Sequence, residues 1–142
     1  MSSERGLRLD EKTVSLLKGY ITKAKEKLHA SGVLLRSGDY EDAVSRAYYV
    51  AFHAARAVLL TDGLVASTHQ GVVNLFGLHF VRTGRFDKKF GRFLTNLKDE
   101  RENSDYEIYT AIDKAVAKHA VQEAREFLKA VENYLKPFLQ GS

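Results

Sequence analysis

Apolar positions along the chain recur every three to four residues, the spacing of one helix face, and nowhere alternate as a half-buried strand would. Asp10 opens the first helix as an N-cap, and the pattern carries it to about Arg36 with Leu16, Leu17, Tyr20, Ile21, Ala24, Leu28 and Leu35 on its buried side. Gly32 lies within it and weakens its last turns. Ser37 and Gly38 turn the chain into a second helix, capped by Asp39 and stopped by Gly63. Thr68 caps a third helix that ends near Gly84; it carries Val72, Val73, Leu75, Phe76, Phe80 and Val81, and Gly71 and Gly77 interrupt it. Asp87 caps a fourth, with Phe90, Phe93, Leu94 and Leu97 inward. It ends around 103–105, where Asn, Ser and Asp compete with the helical backbone. Thr110 with Asp113 reads as a capping box for the last helix, whose apolar residues keep a period near 3.6 out to Pro137.

The second helix organises the rest. It holds neither proline nor glycine, and Ala43, Ala47, Ala51, Ala54, Ala55 and Ala57 make much of its surface small enough for neighbouring backbones to come close. At about 100° per residue its apolar positions cover an arc of roughly 220°. One mixed stripe remains, formed by Arg46, Tyr49, His53, Arg56 and Leu60. A helix apolar on most sides belongs among other helices rather than on a surface. These patterns predict an all-α fold, an up-and-down four-helix bundle with an additional short helix, its neighbours antiparallel because the loops are short.

Composition narrows the class. A length of 142 residues suits one domain spanning 1–142, with 1–9 as a loose arm. The hydrophobic share of 44% and charged share of 28% are those of a water-soluble globular protein. No apolar run approaches the roughly 18 residues of a membrane span, and the start lacks an apolar signal core, so a cytoplasmic address without membrane partners is expected. Absence of cysteine excludes disulfides and thiolate metal sites. A net charge of +4 permits an acidic partner without demanding one.

Four places could carry chemistry. In the stripe, spacings of three, four and three put Arg46, Tyr49, His53 and Arg56 on one face. Two guanidiniums beside an imidazole can hold a phosphate while Tyr49 offers a stacking ring; the same groups also suit a buried or subunit-interface network satisfied by carboxylates. His69 follows Thr68 at a helix start, where amides favour an anion; alternatively it simply packs there. In the stretch 82–93, Arg82, Arg85, Lys88, Lys89 and Arg92 interleave with Phe86, Phe90 and Phe93, which fits either nucleic acid or a core face backed by solvated charges. Arg101, with Asp105 and Tyr106, is a further phosphate candidate among acids that could pair with it. The five histidines show no close metal-ligand spacing, so neither metal nor cofactor is expected.

The segments 45–60 (SRAYYVAFHAARAVLL), 67–84 (STHQGVVNLFGLHFVRTG) and 101–106 (RENSDY), between long flanking helices, resemble the HEPN family of compact helical domains. The resemblance spans nearly the whole chain and is nearest to small stand-alone prokaryotic members. It implies a homodimer that deals with nucleotides or RNA, and in many relatives a small nucleotidyltransferase partner in a toxin–antitoxin pair. Its ribonuclease members place an Arg, then after four to six residues a His, near the start of the last long helix. Arg101 occupies the arginine position; 106, 107 and 108 are Tyr106, Glu107 and Ile108, and Glu102 stands where the family usually has Asn. The expectation is a bundle that is non-catalytic or at most weakly active. It dimerises and binds a nucleotide, an RNA or a partner protein through a groove lined by the stripe, His69, Arg101 and Asp105. The alternatives are a metal-independent ribonuclease toxin, in which Arg101, Tyr106 and a histidine from elsewhere replace the usual pair, and a purely structural helical adaptor.

Overall fold

The computed structural model describes residues 9–106 and 112–140, and among these the fold is all-α. Helix α1 spans Glu11–Arg36, α2 Tyr40–Leu60, α3 His69–Phe76, α4 Lys88–Tyr106 and α5 Lys114–Gln140. The long helices α1, α2, α4 and α5 form the bundle, and α3 is the short addition. Helix α2 packs against each of the other four. Its six alanines, with Val44, Tyr48, Val50 and Val58, are wholly buried.

Local chemistry sets most boundaries. The Asp10 carboxylate accepts from the Thr13 amide at 2.7 Å, the Thr68 hydroxyl from the Gly71 amide at 2.9 Å, and Asp87 from the Lys89 amide at 3.0 Å. Gly63 and Gly84 take positive φ of 70° and 84°, the left-handed turn that side chains resist, and end their helices. Asp39 departs from expectation. Its ψ of 70° is not the extended cap geometry, and its carboxylate turns back to accept from the Ser37 hydroxyl at 3.1 Å instead of capping α2. At α5, Asp113 itself is the cap, accepting from the Val116 amide at 2.9 Å; Thr110 lies outside the described residues.

Three further expectations are corrected. Leu16 is 48% exposed, because the buried line of α1 runs through Val14, Leu17 and Ala24, to one side of it. The third helix does not stay α-helical to its end. After Phe76 it widens into a π-helical turn, Gly77–Val81, in which the Arg82 amide donates to the Gly77 carbonyl at 2.9 Å. Phe76 and Phe80 both lie in the core across that turn, rings stacked 6.0 Å apart, where Phe86, Phe90, Phe127 and Tyr134 join them. Helix α5, finally, runs through Pro137 to Gln140.

Candidate functional site

Five of the side chains that the sequence singles out, Tyr49, His53, Arg56, His69 and Arg101, come from three helices and meet along one seam, which Tyr20 joins from α1. Tyr49, His53 and Arg56 line the half-buried side of α2. Tyr20 of α1 lies flat against His53, ring centres 6.5 Å apart, and the Arg56 guanidinium sits 4.5 Å above the same tyrosine ring. His69, at the first position of α3, packs 4.5 Å from Phe52, 5.4 Å from Tyr48 and 6.0 Å from Tyr49. Arg101 arrives from α4 over those two tyrosines, at 5.6 Å and 5.3 Å. His69 and Arg101 therefore face the same pair of rings, although 31 residues of chain separate them.

Charge reinforces this convergence. Burial lowers the His53 pKa to about 4, helped by Lys23, Arg56, Lys27 and His69. Burial also lowers His69, followed by the charges of Arg101 and Lys98, with Glu102 pulling the other way. Both imidazoles are thus held towards the neutral form in a positive field. His53 Nδ1 is buried and has no hydrogen-bond partner among the described residues. Lys98 and Glu102 pair at 2.6 Å beside the seam, and that bond holds the Glu102 carboxyl below its ordinary value. Tyr48 is wholly buried under Arg101, and loss of solvent pushes its phenol upward.

Not every candidate joins. Arg46 is exposed and takes part in none of the ring contacts among the described residues. The side chains of Asp105 and Tyr106, and residues 107–111, lie outside the described residues. In the stretch 82–93 the core reading holds for the rings: Phe86 is 6% exposed, and Phe90 and Phe93 pack on the core. Arg85 binds Asp62 at 2.8 Å and Lys89 binds Glu126 at 3.0 Å. Sequence reasoning missed Tyr20, Lys98 and Glu102 as neighbours of the seam; the Lys98–Glu102 spacing of four residues on one helix was the available signal.

Next to Arg101, Glu100 faces α5. There Glu123 is only 4% exposed, and His119 Nε2 lies 3.3 Å from its carboxylate. Glu100 and Glu123 each bury one carboxylate oxygen that lacks a hydrogen-bond partner among the described residues. Burial and the Glu123 charge push the Glu100 carboxyl up to about 7, and burial raises Glu123 as well. No group of three or more His, Asp or Glu side chains able to hold a metal ion occurs among the described residues. No helix among them is long and apolar enough to cross a membrane.

Comparison with known proteins identifies the family and the fold. A family model of the HEPN domain matches residues 17–134. A protein of Methanocaldococcus jannaschii that is provisionally named a toxin is 38% identical over 119 residues, covering 82% of this chain and 86% of its own. A Thermotoga maritima protein named only UPF0332 protein is 32% identical, covering 80% of this chain and 86% of its own. The crystal structure of TT1696 from Thermus thermophilus superposes with a TM-score of 0.72 at 20% identity, over 83% of this chain and 97% of that one, a likeness of fold.

Proposed function

The chain belongs to the HEPN domain family, and from that premise we propose that it binds the phosphate and base of a nucleotide or RNA along the α2 seam, as one copy of a homodimer. The observation that carries this reading is the convergence of Arg101 and His69 on the rings of Tyr48 and Tyr49. A guanidinium supplies a bidentate charge for phosphate, and the half-buried ring of Tyr49 offers a stacking face. Burial is the main cause of the two depressed histidines, and the cations that add to it, Lys23, Lys27 and Arg56 at His53 and Arg101 and Lys98 at His69, are the neighbours an anion needs. A bound phosphate would raise both imidazoles, so binding should take up protons. In this reading Arg56 and Tyr20 close the far end of the seam, and a nucleotidyltransferase is the partner in a toxin–antitoxin pair.

Titration with adenosine monophosphate, followed by calorimetry, tests it. Arg101→Ala and His69→Ala should each weaken binding by about tenfold or more, the scale of one lost charge-assisted hydrogen bond, with unchanged helicity. Arg46→Ala should have little effect. Full affinity in both seam variants would remove the proposal.

A second reading draws on the same contact. A neutral imidazole facing the same rings as a guanidinium has the makings of a base and an electrostatic partner for attack of a ribose 2′-hydroxyl on the adjacent phosphate. His69 would then replace the histidine missing after Arg101, in keeping with relatives provisionally named toxins. Cleavage of single-stranded RNA in EDTA that disappears in both Arg101→Ala and His69→Ala would favour this reading over binding alone.

A further inference from the structure

A groove of about 470 Å³ runs between α4 and the wall formed by α3 with its π turn. Its floor is open at Gly77, where a Cβ would meet nothing within 4 Å. The walls close at Gly91, where a Cβ would lie 3.2 Å from Val81. Asn96 offers its side-chain amide from one wall and Asn74, whose Oδ1 already accepts from Gln70 at 2.9 Å, its NH2 from the other, and Lys88 and Arg92 stand on the α4 rim. No acidic side chain lines it, and neither Lys88 nor Arg92 forms an ion pair among the described residues, whereas Arg85 and Lys89 in the same stretch are both neutralised.

The direction of this groove gives it meaning. Val81 sits against Gly91, Asn74 shares the groove with Asn96, and His69 lies within the fields of Lys98 and Arg101. The α3 wall and α4 thus run antiparallel, and the groove leads into the ring cluster. From Lys88 to Arg101 is thirteen residues of helix, about 20 Å at 1.5 Å per residue. At the roughly 3.4 Å rise of a stacked strand, that length serves about six nucleotides.

We propose that the α3–α4 groove is a backbone track for single-stranded nucleic acid, with Lys88, Arg92 and the two asparagines on its phosphates and sugars while a terminal base occupies the ring cluster. This rests on the nucleotide-binding reading of the seam. Cations at intervals along a groove that ends in aromatic rings match the way single strands are held, by charge on the backbone and stacking on the bases. The half-buried Tyr49 ring, set between helices, accepts an unpaired base and excludes a paired one. An acidic peptide would satisfy the cations but leave the rings unused.

Fluorescence anisotropy with labelled oligoadenylate RNA of increasing length tests the track. Affinity should climb at least tenfold from one to about six nucleotides and then level. In the double variant Lys88→Gln/Arg92→Gln, both exposed positions, the long-to-short affinity ratio should fall close to one. The slope of log K against log salt should drop by about 1.4 for two lost phosphate contacts on a single strand. Length-independent binding, or a double variant that keeps the ratio, overturns the track and leaves the seam standing. Displacement of the RNA by a polyglutamate peptide of similar charge, as effective as unlabelled RNA, overturns it too. If neither mononucleotide nor oligonucleotide binds, the seam reading falls and takes the track with it.

Discussion

Glu100 and Arg101 are adjacent in sequence yet serve opposite interfaces, and their environments explain how. Arg101 lies across tyrosine rings on α2 with Lys98, Glu102 and His69 nearby. Glu100 faces Glu123 and His119 of α5, with Asp99 beside it and the Lys89–Glu126 pair farther along. A carboxyl raised to about 7 in the folded protein and near 4.5 when unfolded keeps its proton longer in the fold. Its contribution is therefore present at low pH and lost as pH rises through about 7. Glu100→Gln should raise the melting temperature at pH 8, where the native carboxylate is charged and buried, and change it little at pH 5; thermal scans at the two values check this. His53 works in the reverse sense. Its pKa falls to about 4, so the unfolded chain protonates first and stability declines as pH drops from 6.5 towards 4. The Glu100 effect was not legible in the sequence, because the run KDERE mixes signs and does not reveal which acid turns inward.

At the level of elements, legibility follows the range of the forces involved. Asp10, Thr68 and Asp87 were readable as caps because a cap bond spans two or three residues. Asp39 was misread because Ser37, equally local, competes for its carboxylate. The alanine-rich arc of α2 was readable because a helix with that surface can only be enclosed. Its close packing makes a sharp expectation: Ala51→Leu adds three heavy atoms where nothing is exposed, and should cost about 1–3 kcal/mol in a denaturant titration. The interleaved rings and cations of 82–93 were ambiguous as a string. The structure separates them, sending Phe86, Phe90 and Phe93 to the core and leaving Lys88 and Arg92 on the rim of a groove.

For the molecule as a whole, the seam is a tertiary object. Spacing alone could gather Tyr49, His53 and Arg56, since they share one helix. Only the packing of α3 and α4 against α2 sets His69 and Arg101 over the same rings, and only the α1 contact brings in Tyr20. Arg46 has the right spacing and no place in the result. The widened turn Gly77–Val81 bears on the chain's overall length, because it carries one residue more than an ordinary turn. The protein holds a spare link there. Omitting Leu78, which projects outward, should let the segment tighten to regular pitch and keep Phe76 and Phe80 inside. Omitting one residue from the middle of α2 would swing everything beyond it by about 100°. Melting curves of the two shortened chains should part company, the first still cooperative and the second without a transition.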